Sequence, residues 1–510
     1  VPHKTQKTDP LEKWPSQRIG MILFGMILFG LLLRLPSTNM PLLDRNSCRQ
    51  TDTAAIARNF YKHGLNIFHP QVDWRGASEG YVESEFPIYP FLVAILYRVL
   101  GPNDLLGRMV SLIFFIFSAV LLFRLTQKLW DDQTAVWAAL FFMISPMNIH
   151  YSRTFMPTSM LVCCSIASIY YFSEWMDKEK WSLFFASALA TTLAVLIKPP
   201  SLCLGLPLFY LALRKYKRSI FSEWRIGLFA LLVLIPSFAW YYHARQLFLE
   251  THLTFGIWEG GYSKFGNPTY WLNPTFYKVM VFRIVNDILT LPGLVPAAIG
   301  FFLMLRKRND VSFWWGLTFA VEIFIVAEGH QTHDYYQMPL VPVLSIYVGQ
   351  GMSSLWGKDL LKGSFLSHRF TTKSLLAALF ILMAIAGLSK TREYLRYDPK
   401  RLEFGQRIEQ LTDADSLVIF GGWRKGSQLQ VKYPPSDPID FYFSHRKGWE
   451  ISVDQWSISL IDSLREQGAR YFASYYPKGL EIKEAFAQGM KQKYPLLEAT
   501  DRWFIYSLDR

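Results

Sequence analysis

Ten ionisable residues crowd one stretch of the chain: Asp44, Arg45, Arg49, Asp52, Arg58, Asp73, Arg75, Glu79, Glu83 and Glu85. Smaller polar groups recur further on, at Tyr151 and Arg153, at Lys198 before Pro199-Pro200, and at Glu328, His330, His333, Asp334, Tyr335 and Tyr336. Isolated guanidinium and ammonium groups bind phosphate through charge-assisted hydrogen bonds. A carboxylate beside them can take the proton of a hydroxyl nucleophile. His330 and His333 stand three apart, but His-x-x-His-Asp is not a zinc spacing. Hydrogen bonding to a sugar or to loop backbone is the favoured reading of that pair, and no metal ligand set is assigned. Cys48, Cys163, Cys164 and Cys203 form neither a metal pattern nor a disulfide framework.

The elements that must position these groups are apolar. Of 510 residues 51% are hydrophobic, 16% aromatic and only 18% charged. A soluble chain carries about a quarter charged residues, so disorder, coiled coil and disulfide scaffolds are excluded. The composition is that of a polytopic membrane protein. A crossing helix needs about 20 apolar residues. Candidate spans lie near 18–36, 105–124, 134–149, 155–173, 181–197, 200–213, 225–243, 284–304, 311–327, 335–355 and 373–389, about eleven in all. The formal charge of +13 reflects positive-inside loops rather than nucleic-acid binding. With the N-terminus in the cytoplasm, Arg124/Lys128, Lys178/Lys180, the 214–218 and 306–308 clusters and Lys358 to Lys373 all fall inside. Arg153 and Lys198 fall outside, against that trend. Ionisable groups at a membrane boundary are costly, which marks them as functional candidates. An outer rim of acids and isolated cations suits an anionic, lipid-borne phosphate and a hydroxyl acceptor.

Three outer segments are long enough to fold. The first, 37–104, holds a helix over Asp52 to His63 and a second apolar stretch, Pro87 to Leu100, too short to cross. Were that stretch to cross, every later loop would flip and the charge bias would reverse, so it is laid along the membrane surface. The segment 244–283 reads as an irregular loop. The tail, 391–510, alternates helix (Arg401 to Leu411), strand (Ser416 to Gly421), helix (Gln455 to Glu466), strand (Arg470 to Tyr475), helix (Ile482 to Lys491) and strand (Trp503 to Leu508), a small α/β domain outside the membrane. Gly421-Gly422 reads as a strand-ending turn, not a phosphate cradle.

Asp44 to Tyr61, DRNSCRQTDTAAIARNFY, resembles the first outer loop of GT-C membrane glycosyltransferases. The nearest likeness is to the family 39 set of protein O-mannosyltransferases and aminoarabinose-transferase-like enzymes. Glu85-Phe86-Pro87-Ile88-Tyr89-Pro90, His150 to Arg153, Lys198-Pro199-Pro200 and His333 to Leu340 follow in order on the same side. The resemblance covers about 20–350. It implies a GT-C-like catalytic module over 1–390 in a cytoplasmic (inner) membrane, with the active site and tail on the periplasmic or extracellular side. It further implies transfer of a sugar, with inversion, from a polyprenyl-phosphate donor to a lipid, glycan or protein hydroxyl. Asp52 is the expected base and Asp44 the second choice; helix N-capping is the alternative role for Asp52. Arg153 and Lys198, with Tyr151, would hold the departing phosphate, unless the two cations are lipid-headgroup anchors. Arg49, Glu83, Glu85, His330, His333, Asp334 and Tyr335 are expected around the substrates, although Tyr335 and Tyr336 equally suit an interfacial aromatic belt. No essential cofactor is expected, and a divalent cation stays open.

The chain departs from the pattern at Glu85-Phe86, where many relatives carry Lys or His before the proline. An acid there cannot pair with phosphate; it could bind a cation, orient an arginine such as Arg49, or contact the acceptor. Thr53 also follows Asp52 where the family commonly has an Asp-Glu pair. A flippase for a lipid-linked intermediate and a partner-binding scaffold are the competing readings. A transporter would place its charges near mid-membrane and repeat its halves, neither of which the sequence does.

Overall fold

The computed structural model describes residues 14–257, 264–307, 311–356, 371–422, 437–476 and 484–509. The basic residues Lys4, Lys7, Lys13, Arg308 and those within 358–370 lie outside the described residues, as does the predicted helix start at Ile482.

The chain begins with an apolar helix, α1 (Ser16–Leu32), and every one of the predicted spans is helical. The first outer segment holds α2 (Ser47–His63) and α3 (Ile88–Leu100). Then follow α4 (Asp104–Leu129), α5 (Asp132–Ile144), α6 (Pro146–Tyr151), α7 (Thr158–Lys178), α8 (Trp181–Ile197), α9 (Gly205–Tyr216) and α10 (Trp224–Thr251). Beyond them lie α11 (Pro268–Trp271), α12 (Pro274–Phe282), α13 (Thr290–Lys307), α14 (Val311–Ile325), α15 (Ala327–Thr332), α16 (Leu340–Trp356) and α17 (Thr372–Tyr394). Among the described residues, five helical stretches are long and apolar enough to cross a membrane, and four apolar helices are shorter. Pro146 and Pro199 explain some of the shortness. Proline opens a new helical segment where a continuous helix would lose a hydrogen bond, so two predicted spans are jointed.

Three of the five basic loops expected to share one face meet there. Lys128 pairs with Glu174 (2.7 Å) and Asp177 (2.6 Å), Lys215 with Glu179 (2.5 Å), and Arg225 with Glu179 (3.4 Å). The backbone N–H of Trp14 donates to Asp132 on the same face. The protein is a multi-pass membrane protein with its polar outer segments on the other face.

Two expectations are corrected. Residues 244–251 continue α10, and 268–282 form α11 and α12, so the second outer loop is shorter than its Gly- and Asn-Pro-rich composition implied. Helix α2 begins at Ser47, so Asp52 lies inside the helix and is no N-cap; that position belongs to Asn46, in left-handed conformation at φ 61°.

The tail forms α18 (Pro399–Leu411), β1 (Leu417–Gly422), α19 (Ile439–Ser444), β2 (Lys447–Ser452), α20 (Ile458–Glu466), β3 (Ala469–Tyr475), α21 (Glu484–Lys493), β4 (Leu496–Ala499) and β5 (Trp503–Ser507). The sheet order is β2-β1-β3-β5-β4, with β2, β1 and β3 parallel and β5 antiparallel to both its neighbours. Alternation assigns the faces. Ile419 and Phe472 point to α20 and α21, whereas Val418, Phe420, Tyr471 and Ala473 point to α18 and α19. Sequence reading missed α19, β2 and β4, because β2 carries Gly448 and Glu450 and the other two are very short. Gly421 and Gly422 are the last two residues of β1, and the turn expected after them lies outside the described residues.

The domain is docked on the first outer segment. Gly76 N–H donates to Gly448 O (2.6 Å), and Gly448 N–H to Asp73 O (3.1 Å). Arg58 donates to Tyr442 O (3.0 Å) and pairs with Asp73 (2.5 Å), while Tyr442 OH donates to Asp104. Gly76 has φ +58°, and a Cβ there would lie 2.6 Å from Trp449 Nε1.

Within the membrane, small residues let backbones touch. A Cβ on Gly351 would collide with the carbonyl of Pro296, and one on Gly300 with that of Tyr347. Gly351→Val should therefore force α13 and α16 apart, costing about 1–3 kcal/mol of stability. A lowered thermal midpoint of the detergent-solubilised protein checks this.

Candidate functional site

Helix α2 owes its position to two buried clusters beneath its N-terminus. Asp44 and Arg153 form an ion pair with both side chains sealed from solvent. Gln50 donates to Asp44 (2.5 Å), and Arg153 and Arg108 both donate to Ser37 O, at 3.1 and 2.7 Å. Burial pushes the Asp44 carboxyl up, but Arg153, His150 and Arg108 outweigh it and hold the group below its ordinary range. In the second cluster Asp334 accepts from Arg45 (2.6 Å), Asn46 (2.9 Å) and Tyr151. Those bonds brace the left-handed Asn46, a conformation asparagine tolerates better than most residues.

Above these clusters, Glu85 joins three segments. Its carboxylate pairs with Arg49 (2.7 Å) from α2 and Lys198 (3.2 Å) from the end of α8. Burial would raise the Glu85 pKa; Arg49, Lys198 and Lys264 reverse this and hold it well below the usual carboxylate range. The Lys198 ammonium lies 4.0 Å from the Tyr336 ring centroid and 5.3 Å from that of Tyr335. Arg49 lies over Phe255 at 4.8 Å. Of the three roles left open for Glu85, orienting an arginine is the one the geometry displays.

Beside this junction opens a cavity of about 1150 Å³. Its polar end carries Glu85, Lys198, Arg245, Lys264 and Tyr336; its walls are apolar, including Leu202, Leu234, Ile235, Phe238 and Ile325. Those five wall residues are exposed on the membrane-embedded surface, so the cavity opens towards lipid. Lys264 donates to Phe255 O (2.7 Å). Its burial next to Lys198 and Arg49 lowers its pKa to about 8 despite Glu85. Glu83 accepts from the Thr254 hydroxyl, and its backbone pairs with Leu253 and Phe255 at 3.0 Å, tying the loop after α10 to the first segment.

Asp52 lies one turn beyond Arg49 on α2, against the C-terminal domain. Trp74 Nε1–H donates to its Oδ1 (2.9 Å). Burial is the chief influence, with Asp437 and Asp73 adding to it; Trp74 and Arg49 oppose, and the carboxyl is left at about 7. That value suits a general base near neutral pH.

The expected site residues thus separate. Glu85 and Lys198 line the cavity, Arg49 pairs with Glu85, Tyr335 faces Lys198, Glu83 is tied to the loop after α10, and Asp52 lies a turn beyond Arg49 against the C-terminal domain. Arg153 and Asp44 pair with each other, Tyr151 and Asp334 brace Asn46, and none of these four lines the cavity. His330 is buried 3.7 Å from Glu322 and bonded to Gln337 (3.1 Å), and the His333 ring stacks on Tyr335 with centroids 5.1 Å apart. Among the described residues, no group of three or more His, Cys, Asp or Glu could hold a metal ion. Sequence reading missed Lys264, Arg245 and Trp74. The first two are outer-side cations that defy the positive-inside trend as Lys198 does, so the same criterion would have found them. Nothing in the sequence marks Trp74.

Comparison with known proteins bears on the fold. Residues 84–242 match the family model for dolichyl-phosphate-mannose-protein mannosyltransferase. An uncharacterized protein of Aquifex aeolicus is 26% identical over 280 residues, which are 52% of this chain and 53% of that protein. The chain thus spans about half the length of the curated relative it matches. The crystal structure of ArnT from Cupriavidus metallidurans bound to undecaprenyl phosphate superposes with a TM-score of 0.66 at 12% identity, covering 96% of this chain and 98% of that one. AglB from Archaeoglobus fulgidus, in complex with an inhibitory peptide and a dolichol-phosphate, gives 0.57 at 11% identity, covering 90% and 69%. The same oligosaccharyltransferase in complex with Zn and sulfate gives 0.58 at 12%, covering 95% and 72%. The GT-C architecture implied by the outer-loop motifs is the fold of this chain.

Proposed function

We propose that the protein is a membrane glycosyltransferase that moves a sugar from a polyprenyl-phosphate donor to an acceptor hydroxyl, on the periplasmic or extracellular face of a cytoplasmic membrane. One observation carries the reading: an apolar cavity open to lipid is lined by three cations, Lys198, Arg245 and Lys264, against one carboxylate, Glu85, with which Arg49 also pairs. Uncompensated positive charge in a buried site is costly and favours an anion. A phosphate on an isoprenoid tail satisfies both ends of such a cavity. The relatives that hold undecaprenyl phosphate and dolichol-phosphate support the same class of ligand.

In the reaction the acceptor oxygen attacks the anomeric carbon while the bond from that carbon to the phosphate oxygen breaks. Asp52 takes the hydroxyl proton, and the lipid phosphate leaves with the bonding electrons. Lys198 and Lys264 hold the charge that grows on it, which is where fixed donors lower a barrier most. Glu85 holds Arg49 and Lys198 in place through its two ion pairs. Arg153, Asp44, Tyr151 and Asp334 set the height of α2. Sugar type and acceptor type follow from contacts with ligands, so hexose and pentose donors belong together in the test. A Zn-holding neighbour directs attention to divalent cations, but the described residues assemble no ligand set for one, and no step is routed through it. The flippase reading lacks support from the charges, which collect on the outer face.

The deciding experiment offers the purified protein undecaprenyl- and dolichyl-phosphate-linked monosaccharides and measures release of lipid phosphate. Wild type should release it, and Asp52→Asn should lose about 10²-fold or more of the rate with donor binding retained. Donor binding without turnover, across the whole panel, would favour a flippase.

The pH dependence of kcat/KM should be a narrow bell. Asp52 works deprotonated, so the rate climbs as pH passes about 7. Lys264 works protonated, so the rate falls as pH passes about 8. Loss of the alkaline limb in Lys264→Met, with donor KM raised about tenfold, checks the second assignment.

A further inference from the structure

We propose that Trp74 is a positioning residue for Asp52: its indole N–H fixes the carboxylate's Oδ1 and leaves Oδ2 to receive the acceptor's proton. This rests on the reading of Asp52 as the base. Trp74 Nε1 lies 2.9 Å from Oδ1. Among the described residues no hydrogen bond reaches Oδ2, and that oxygen is not sealed from the surface. One oxygen is therefore tied and the other is available.

The indole is held from both sides. It packs against the apolar cluster of the first outer segment (Ile56, Phe60, Val72 and Val82) and against the C-terminal domain's own cluster through Phe404, Phe441 and their neighbours. Phe255 meets it edge-on at 5.8 Å. A Trp ring with so little freedom is a rigid donor, and a carboxylate bonded to a rigid donor keeps one rotamer. Its surroundings also make the C-terminal domain part of the active-site wall, because the domain supplies one side of the indole's seat.

The bond acts on proton affinity as well as on orientation. A donor to the ionised form favours that form. The charged groups that face Asp52 are Arg49 from its own helix, Asp73 from the first outer segment and Asp437 from the C-terminal domain. Arg58 pairs with Asp73 and Arg401 with Asp437 (2.8 Å). None of them changes when the indole N–H is removed, so a shift reports the bond itself.

The test uses the full-length protein. Infrared pH-difference spectra isolate the protonated-carboxyl band that is missing in Asp52→Asn. In wild type this band should titrate near pH 7; in Trp74→Phe its midpoint should rise by about one unit. At pH 7 kcat, measured as lipid-phosphate release from whichever donor wild type accepts, should fall about fivefold with donor KM unchanged. Replacing Trp74 with β-(3-benzothienyl)alanine exchanges the N–H for sulfur in the same shape, and carries the test if the phenylalanine variant does not fold. A wild-type midpoint in either folded variant would overturn the positioning role. Full turnover in Asp52→Asn would instead overturn the base assignment, whatever the Trp74 variants do.

Discussion

The active face is organised around one buried carboxylate. Glu85 sits between Arg49 and Lys198 with Lys264 close by, and the three cations come from three separate parts of the chain. Each cation alone would be expelled from a half-buried apolar site. A carboxylate shared among them removes enough of the charge to keep them there. It does not remove all of it, and the remaining positive charge faces the cavity. A lysine at position 85 would add a phosphate ligand directly. This chain instead places an acid there and gathers its cations from α2, from the end of α8 and from the loop after α10.

Beneath that junction the structure is rigid for electrostatic reasons. Asp44 with Arg153 and Gln50, and Asp334 with Arg45, Asn46 and Tyr151, are polar sets in which both oxygens of each buried carboxylate accept hydrogen bonds. Removing one partner from a buried pair costs about 3–5 kcal/mol, because the other charge is stranded. Such sets hold α2 at a fixed height and rotation, which is what a helix carrying both Arg49 and Asp52 requires. A displacement of about 1 Å at a reacting group can cost about a hundredfold in rate.

The C-terminal domain is attached to the same machinery. One sheet face is covered by α20 and α21, and the other reaches Trp74 beneath α18 and α19. Backbone bonds between Gly76 and Gly448, and Arg58 bridging to Tyr442, close the seam. A domain that reads in the sequence as an appendage thus completes the surroundings of the Asp52 carboxylate.

Local chemistry made much of this legible. Apolar run length gave the spans, the Lys and Arg bias gave the shared faces, and alternation gave β1, β3 and β5, because each depends only on neighbouring residues and on solvent. Asp52, Arg49, Glu85 and Lys198 stood out for the same reason: charge near a membrane is costly wherever the chain folds. Which carboxylate meets which cation was beyond reach. Asp44 and Arg153 stand 109 positions apart, and only folding seals them against each other. Lys264 enters the cavity only because its loop is tied back to Glu83. Trp74 finds Asp52 only because a domain more than 300 residues later presses on its ring. The sequence determined which groups were expensive to bury; the tertiary structure decided which of them were neutralised by a partner and which were left to act on a substrate.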